Sequence, residues 1–334
     1  MKTKTFLALV IFFFSLSIVY GDTRGYLSFE YTSGQTGSDE PPPMFRNAQL
    51  GVIFSGEIGK RFFYVAEFRV RGTGVDVDQA LVSFAPSELF SLSAGLYLIP
   101  FGAYNQSSRP HETLLVKLPL HVEEMYPSRW RDIGILTEGN LGFLFYASYF
   151  GNGIVEGEDL SSGQQFEDNN KNKAKGGRVG IVFSEKFAAA VSYYRGKYDE
   201  NEERSVNLYG VDVTWDVAGF QLFFEFAQAS LENPESFSSG EATGYLVQLS
   251  FPLGKLQPVA SYQRLDYEDR FHGAGFADSF TPGAGILLHK ARWSVGVVFI
   301  PLPNLLVKIE YDFDQDNIQD LKTKAFSAQV ALSF

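Results

Sequence analysis

Hydrophobic and polar residues alternate with a period of two along most of this chain. Around residues 61–71, Phe62, Tyr64, Ala66, Phe68 and Val70 interleave with Arg61, Phe63, Val65, Glu67, Arg69 and Arg71, so charge falls on one face. Phe220, Leu222, Phe224 and Phe226 alternate with Gln221, Phe223 and Glu225. Leu305, Val307, Ile309, Tyr311 and Phe313 alternate in the same way with Leu306, Lys308, Glu310 and Asp312. Successive strand side chains point to opposite faces, whereas a helix would scatter these charges around its circumference. Run by run, the pattern predicts about sixteen strands, near 25–31, 47–55, 61–71, 75–84, 91–99, 131–138, 141–150, 177–184, 187–196, 204–215, 219–229, 242–251, 256–265, 289–300, 304–313 and 322–334.

The connections differ in kind. Short ones (56–60, 184–186, 216–218, 252–254, 301–303) fall on one side of the strand array and long polar ones (32–46, 151–175, 230–240, 266–288) on the other. A soluble sandwich has no reason to segregate its loops so. An all-β transmembrane antiparallel barrel does, with short periplasmic turns and long outer loops. Beyond residue 21 no run of about 18 apolar residues offers a transmembrane helix. In lipid, a closed barrel is then the form that satisfies every backbone group.

Composition supports this picture. Aromatic residues make up 16% of the chain, with 32 Phe and 17 Tyr, while mean hydropathy is −0.07. That pairing suits strands that are apolar on one face only. Tyr64, Tyr209, Trp215, Tyr245 and Trp293 are candidates for aromatic belts at the membrane interfaces. Cysteine is absent, which excludes a disulfide framework and a thiolate metal site.

Lys2 and Lys4 followed by the apolar run Phe6–Tyr20 predict a secretory signal over 1–21 and one barrel domain over 22–334. Loss of those two lysines takes the formal charge from −11 to −13, which argues against a nucleic-acid partner. Phe326, Ala328, Val330, Leu332 and Phe334 alternate with Ser327, Gln329, Ala331 and Ser333. A last strand ending on Phe334 is the kind of signal that a barrel-assembly machinery reads.

One connection, residues 100–130, stands apart as the third outer loop. It carries Arg109, His111, Lys117, His121 and Arg129, with Arg131 just beyond. Folded inward, it predicts a pore constriction in which partly dehydrated cations attract anions more strongly than in bulk water. Glu112, Glu123 and Glu124 oppose that charge. The expected lumen face mixes Arg61, Arg69, Arg71, Arg178 and Lys308 with Glu67, Asp212, Glu225 and Glu310. The alternative is that the loop is a structural plug or lid.

The segment Ala94-Gly95-Leu96-Tyr97-Leu98-Ile99-Pro100-Phe101-Gly102, with Asn105, Pro119, Pro127, Trp130, Asp132-Ile133-Gly134 and Asn152-Gly153, resembles the strand-and-constriction segment of phosphate-selective porin O/P-type barrels. The resemblance implies a sixteen-stranded outer-membrane porin, commonly trimeric, with the loop folded inward. Phosphate-selecting members line the pore with a ladder of arginines and lysines. The mixed lumen face here departs from that pattern, and phosphate selectivity is not carried over.

Other motifs are weaker. Asp312-Phe313-Asp314-Gln315-Asp316-Asn317 lacks the glycine and the bidentate glutamate of a calcium loop and reads as a solvated acidic outer loop. Asp199, Glu200, Glu202 and Glu203 read as a charged loop tip where divalent ions could bridge to lipopolysaccharide. Hydrolase chemistry would have to draw on His111, His121, His272 or His289, and the strand map suggests no Ser–His pair. A fatty-acid-type transporter would need a longer plug before Gly25. The expectation is therefore a non-enzymatic porin for small polar solutes or ions, needing no cofactor and surrounded by outer-membrane lipid and lipopolysaccharide. A non-conducting structural or adhesive barrel is the alternative.

Overall fold

The computed structural model describes residues 21–34, 42–157, 160–233, 240–269, 289–316 and 321–334. The expected leader up to residue 20, and His272, lie outside the described residues; Gly21, expected to end the leader, begins the first strand.

Sixteen strands follow in order: β1 (Gly21–Gly34), β2 (Met44–Glu57), β3 (Phe62–Arg71), β4 (Gly74–Ser87), β5 (Phe90–Leu98), β6 (Arg131–Leu141), β7 (Leu144–Gly151), β8 (Ala174–Ser184), β9 (Phe187–Lys197), β10 (Ser205–Val217), β11 (Phe220–Leu231), β12 (Gly240–Ser250), β13 (Leu256–Asp269), β14 (Lys290–Leu302), β15 (Leu305–Asp316) and β16 (Leu321–Ser333). Each pairs antiparallel with its sequence neighbours, and β1 pairs with β16 to close the barrel. Between β5 and β6 lie a 3-10 turn (Tyr104–Gln106) and one short helix, α1 (Leu120–Glu124).

Several strands run further toward the long-loop rim than the alternation predicts: β1 reaches Gly34, β13 Asp269 and β15 Asp316. Above the lipid the hydrogen-bonded ladder continues, but outward residues no longer need to be apolar, so the hydrophobic pattern stops before the strand does. Asp312 and Asp314 therefore belong to a strand; the expected solvated acidic loop at these positions is corrected. Asp199 is likewise no solvated tip: it is fully buried and accepts backbone N–H bonds from Glu203 and Arg204 at 3.1 and 2.8 Å.

Outward residues form two aromatic girdles. Toward the long loops, Tyr193–Tyr209, Tyr245–Tyr262, Tyr262–Trp293, Tyr31–Phe45 and Tyr31–Phe326 have ring centroids 4.6–6.3 Å apart. Toward the short turns, Phe62–Phe84, Phe143–Phe183, Phe187–Trp215 and Phe220–Phe251 do the same at 4.7–6.4 Å. Amphipathic Tyr and Trp rings prefer the headgroup level. Of the expected belt residues, Tyr209, Tyr245 and Trp293 lie in the first girdle and Trp215 in the second, while Tyr64 faces outward on β3.

One irregularity shapes the lumen. Val77 and Gln79 of β4 pair with adjacent residues Phe68 and Glu67 of β3, so Asp78 is the extra residue of a bulge. The bulge turns both Asp78 and Gln79 inward: Gln79 donates to Glu67 at 2.9 Å and Asp78 accepts from Arg69 at 3.1 Å.

Candidate functional site: the inward loop

Residues 99–130 leave the wall at Leu98, cross the lumen and return at Arg131. Asn105 ties the two ends together: its Nδ2 donates to the carbonyls of Ile99 and Trp130 at 2.8 and 2.9 Å, and its Oδ1 accepts from the Trp130 N–H at 2.7 Å. Trp130, Tyr126 and Phe101 stack around this base with ring centroids 5.4–5.8 Å apart and pack on Tyr194 of β9.

The loop is then held at three sectors of the wall. On β11, Glu225 accepts from the Tyr104 N–H at 2.8 Å and the Tyr126 hydroxyl at 2.9 Å, and pairs with His121 Nε2 at 3.0 Å. Gly102 permits that approach: its φ is +66°, and a Cβ there would stand 2.5 Å from a Glu225 oxygen. Helix α1 lies on β12 where Gly244 leaves room, a Cβ at 244 falling 2.6 Å from that of His121. The Leu120 N–H donates to Gln263 of β13 at 3.0 Å.

On β14 and β15, Arg292 donates to the Leu118 carbonyl at 2.9 Å and pairs with Glu123 at 3.2 Å and Asp314 at 2.7 Å. Lys308 donates to the Pro110 carbonyl at 2.6 Å and to Thr113 at 2.9 Å. Glu310 accepts from the Val116 N–H, while Lys117 pairs with Asp314 and Lys290 with Glu124.

On β3 and β4, Glu67 takes a two-pronged bond from Arg109 at 2.7 and 2.9 Å and a third from Arg129 at 2.7 Å. Asp78 meets Arg129 at 3.0 Å, Arg69 at 3.1 Å and Arg131 at 2.5 Å. Asp76 pairs with Arg71 at 2.6 Å, and Glu112 with Arg109 at 2.9 Å. Such charge-assisted, forked contacts fix geometry as well as charge. Burial works against the Arg109 charge, but Glu67 and Glu112 more than offset it and raise its pKa. Burial also raises the hydroxyl pKa of Tyr104 and Tyr126 and pushes His111 below its ordinary value.

The structure thus relocates several expected site residues. Arg109, Arg129 and Arg131 meet in one cluster, but each guanidinium already holds a carboxylate, which removes the simple picture of unpaired cations in a filter. His121 is fully buried as a wall anchor away from any aqueous edge. His111 is half-buried, its ring 5.2 Å from that of Tyr26. Lys117, Lys308 and Glu310 bind the loop to the wall, Glu67 and Glu225 do the same, and Arg69 and Arg71 join the arginine cluster. Arg178 and Asp212 pair with each other across β8–β10 at 2.5 and 3.1 Å, Arg178 lying over the Phe145 ring. Arg61 is a correction: it lies in the exposed β2–β3 turn, because the strand begins one residue later, at Phe62.

Asp76, Asp78, Asp312, Asp314, Arg292, Tyr104 and Tyr126 were not singled out from the sequence as site residues. Asp76 and Asp78 were visible as acidic positions two apart in an alternating run. The partner each would take was not.

A family model described as Gram-negative porin matches residues 19–299. The chain belongs to the Gram-negative porin family. This porin is therefore a protein of the bacterial outer membrane, with its short turns at the periplasmic rim and its long loops outside. Over 177 residues it is 25% identical to an uncharacterized protein of Aquifex aeolicus (strain VF5), a match covering 48% of the porin and 40% of that protein. The matched region thus spans less than half the length of that curated relative. Its fold is similar to the trimer form of OmpT of Vibrio cholerae, with TM-score 0.65, 11% identity and coverage of 94% of this chain and 99% of that one. It is also similar to the outer membrane channel DcaP of Acinetobacter baumannii, with TM-score 0.67, 11% identity and coverage of 94% and 97%.

Proposed function

We propose that this porin lets small polar solutes and ions diffuse passively through a lumen narrowed by residues 99–130. The observation that carries the reading is the three-sector anchoring of the loop, which ends in charged groups that stay partly accessible. Arg71, Glu112, Glu123 and Lys290 have side chains 28–44% exposed, in contrast to the buried anchors Glu225 and Lys308. Rings of charged side chains at a narrowing screen what passes. Arg71 on β3, Glu112 and Glu123 in the loop and Lys290 on β14 are the charges that a crossing solute would meet.

The mature barrel, on this reading, starts near Asp22 after removal of a leader, needs no cofactor and catalyses no reaction; His121, the most enclosed of the described histidines, is committed to Glu225. It sits among outer-membrane lipid and lipopolysaccharide, reaches its site through a barrel-assembly machinery that reads Phe334, and assembles as a homotrimer like the OmpT form named above.

Single-channel recording of purified protein in a planar bilayer tests this. Discrete conductance steps in KCl are expected. Silence from folded, heat-modifiable protein would favour a structural or adhesive barrel, a reading supported by the burial of Glu225, Glu310, Asp312 and Lys308 beneath the loop.

A further inference from the structure

Strand register fixes which residues face the lipid as well as which face the lumen. On β8 and β9, Arg178, Ala174, Ser192 and Tyr194 turn inward: Arg178 pairs with Asp212, Ser192 accepts from the Gly102 N–H, and Ala174 and Tyr194 join the packed core. Lys175 and Arg195 alternate with them and so point outward, and both are exposed. They stand directly opposite each other across the β8–β9 ladder. Opposed residues hold their Cβ atoms about 5 Å apart, and like charges so placed repel.

No carboxylate relieves this pair. Among the described residues neither Lys175 nor Arg195 makes an ion pair or a side-chain hydrogen bond. Acids of the adjoining loops are held by other groups: Asp168 by Lys173, Glu156 by Arg204, and Glu232 by Ser205 and Lys197. Asn207 of β10 stands opposite Arg195 on its other side. Its Oδ1 accepts from the Tyr193 hydroxyl at 3.2 Å, which leaves its amide N–H groups as further donors. Lys175, Arg195 and Asn207 thus form an outward row of donors without acceptors.

The row lies one step beyond the outer girdle. Two residues toward the short turns, on the same face, come Gly177, Tyr193 and Tyr209, the two tyrosine rings 5.2 Å apart. Two residues further come Val179, Val191 and Val211, 53%, 58% and 37% exposed. Tyrosine rings mark the headgroup level, so the cations stand among lipid phosphates and the valines among acyl chains. Other outward cations near this rim have partners: Arg264 pairs with Asp266 at 2.6 Å, and Lys324 lies 5.9 Å from the centre of the Phe313 ring.

We infer that Lys175 and Arg195, with Asn207, bind the phosphate of a lipopolysaccharide headgroup whose acyl chains lie against Val179, Val191 and Val211. One phosphate carries enough charge and enough acceptor oxygens to answer both cations. The site rests on the lipopolysaccharide setting proposed above and is independent of conduction.

Native mass spectrometry of the folded barrel in detergent, titrated with diphosphoryl lipid A, tests it. The native protein is expected to retain lipid A in preference to phosphatidylcholine, and inorganic phosphate should not displace it. Lys175→Gln/Arg195→Gln should weaken retention by about thirty-fold and either single substitution by about five-fold. Lys322→Gln/Lys324→Gln, outward on β16, should leave it unchanged. Heat-modifiable migration reports folding, and if the double variant does not fold, the single ones are read in the same way. Retention unmoved by substitution at Lys175 and Arg195, or lowered equally by the β16 pair, would overturn the site and leave the lipopolysaccharide setting standing. Lipid A retained by no form would overturn both, and displacement by inorganic phosphate would overturn the lipid as occupant.

Discussion

Glu67 on β3 and Arg129 at the end of the inward loop meet at 2.7 Å although 62 residues separate them in sequence. The same carboxylate holds Arg109, so one negative charge is shared by two guanidinium groups. Glu67→Gln would leave both enclosed with one partner fewer, Glu112 for Arg109 and Asp78 for Arg129. Breaking an enclosed pair from one side costs on the order of 3 kcal/mol. The expected outcome is a lower thermal midpoint and a several-fold rise in the chloride-to-potassium permeability ratio, read from reversal potentials in a KCl gradient.

Glu225 plays the corresponding part on the opposite wall, where it serves Tyr104, His121 and Tyr126. Glu225→Ala strands three buried partners at about 1–3 kcal/mol each. The loop should leave this wall, giving larger and noisier single-channel currents. Gly244→Ala should act in the same direction without touching a charge, because its methyl would meet His121 at 2.6 Å. Unchanged conductance in both variants would show that the loop is held elsewhere.

The pH response of His111 follows from its burial, which outweighs Glu112 and holds its pKa below the ordinary value. The unfolded chain protonates this residue near pH 6.5, before the folded protein does. Its contribution to stability is therefore complete above about pH 6.5 and is lost as pH falls through the lower folded value. His111→Asn should leave the reversal potential at pH 7 unaltered and make the drop in thermal midpoint between pH 7 and pH 5 smaller than in the native protein.

The girdles predict the depth of the chain in a bilayer. Trp293 and Trp215 are 57% and 45% exposed on the outer face, whereas Trp130 is fully buried in the loop. In variants retaining one tryptophan, with Phe at the other two positions, lipids brominated near the headgroup should quench Trp293 and Trp215 more strongly than lipids brominated deep in the acyl chain. Trp130 should respond to neither.

The strands were legible because lipid on one side and loop or water on the other impose period two. Loop 100–130 was legible as a separate element by its length, its charges and its place as the third outer connection. The pairings were not. Asp78 lies at a bulge that shifts the phase of β4, and alternation cannot register a residue added to one strand against its neighbour. Whether Arg109 reaches Glu67 or some other carboxylate depends on where the loop lands across the barrel, a contact that no local pattern encodes. His121 looked like a constriction residue on composition, and the space left by Gly244 made it an anchor.

The seam between β1 and β16 also bears on how such a chain is made. Gly25 and Phe334 exchange backbone bonds at 2.8 and 2.9 Å, and Gln329 reaches Glu30 across 299 positions of sequence. Contacts this distant form late and slowly. Until they do, two strand edges have no partners, and the carboxylates awaiting the loop are uncovered. Lipid does not tolerate unpaired strand edges, so closure of this seam and insertion have to proceed together.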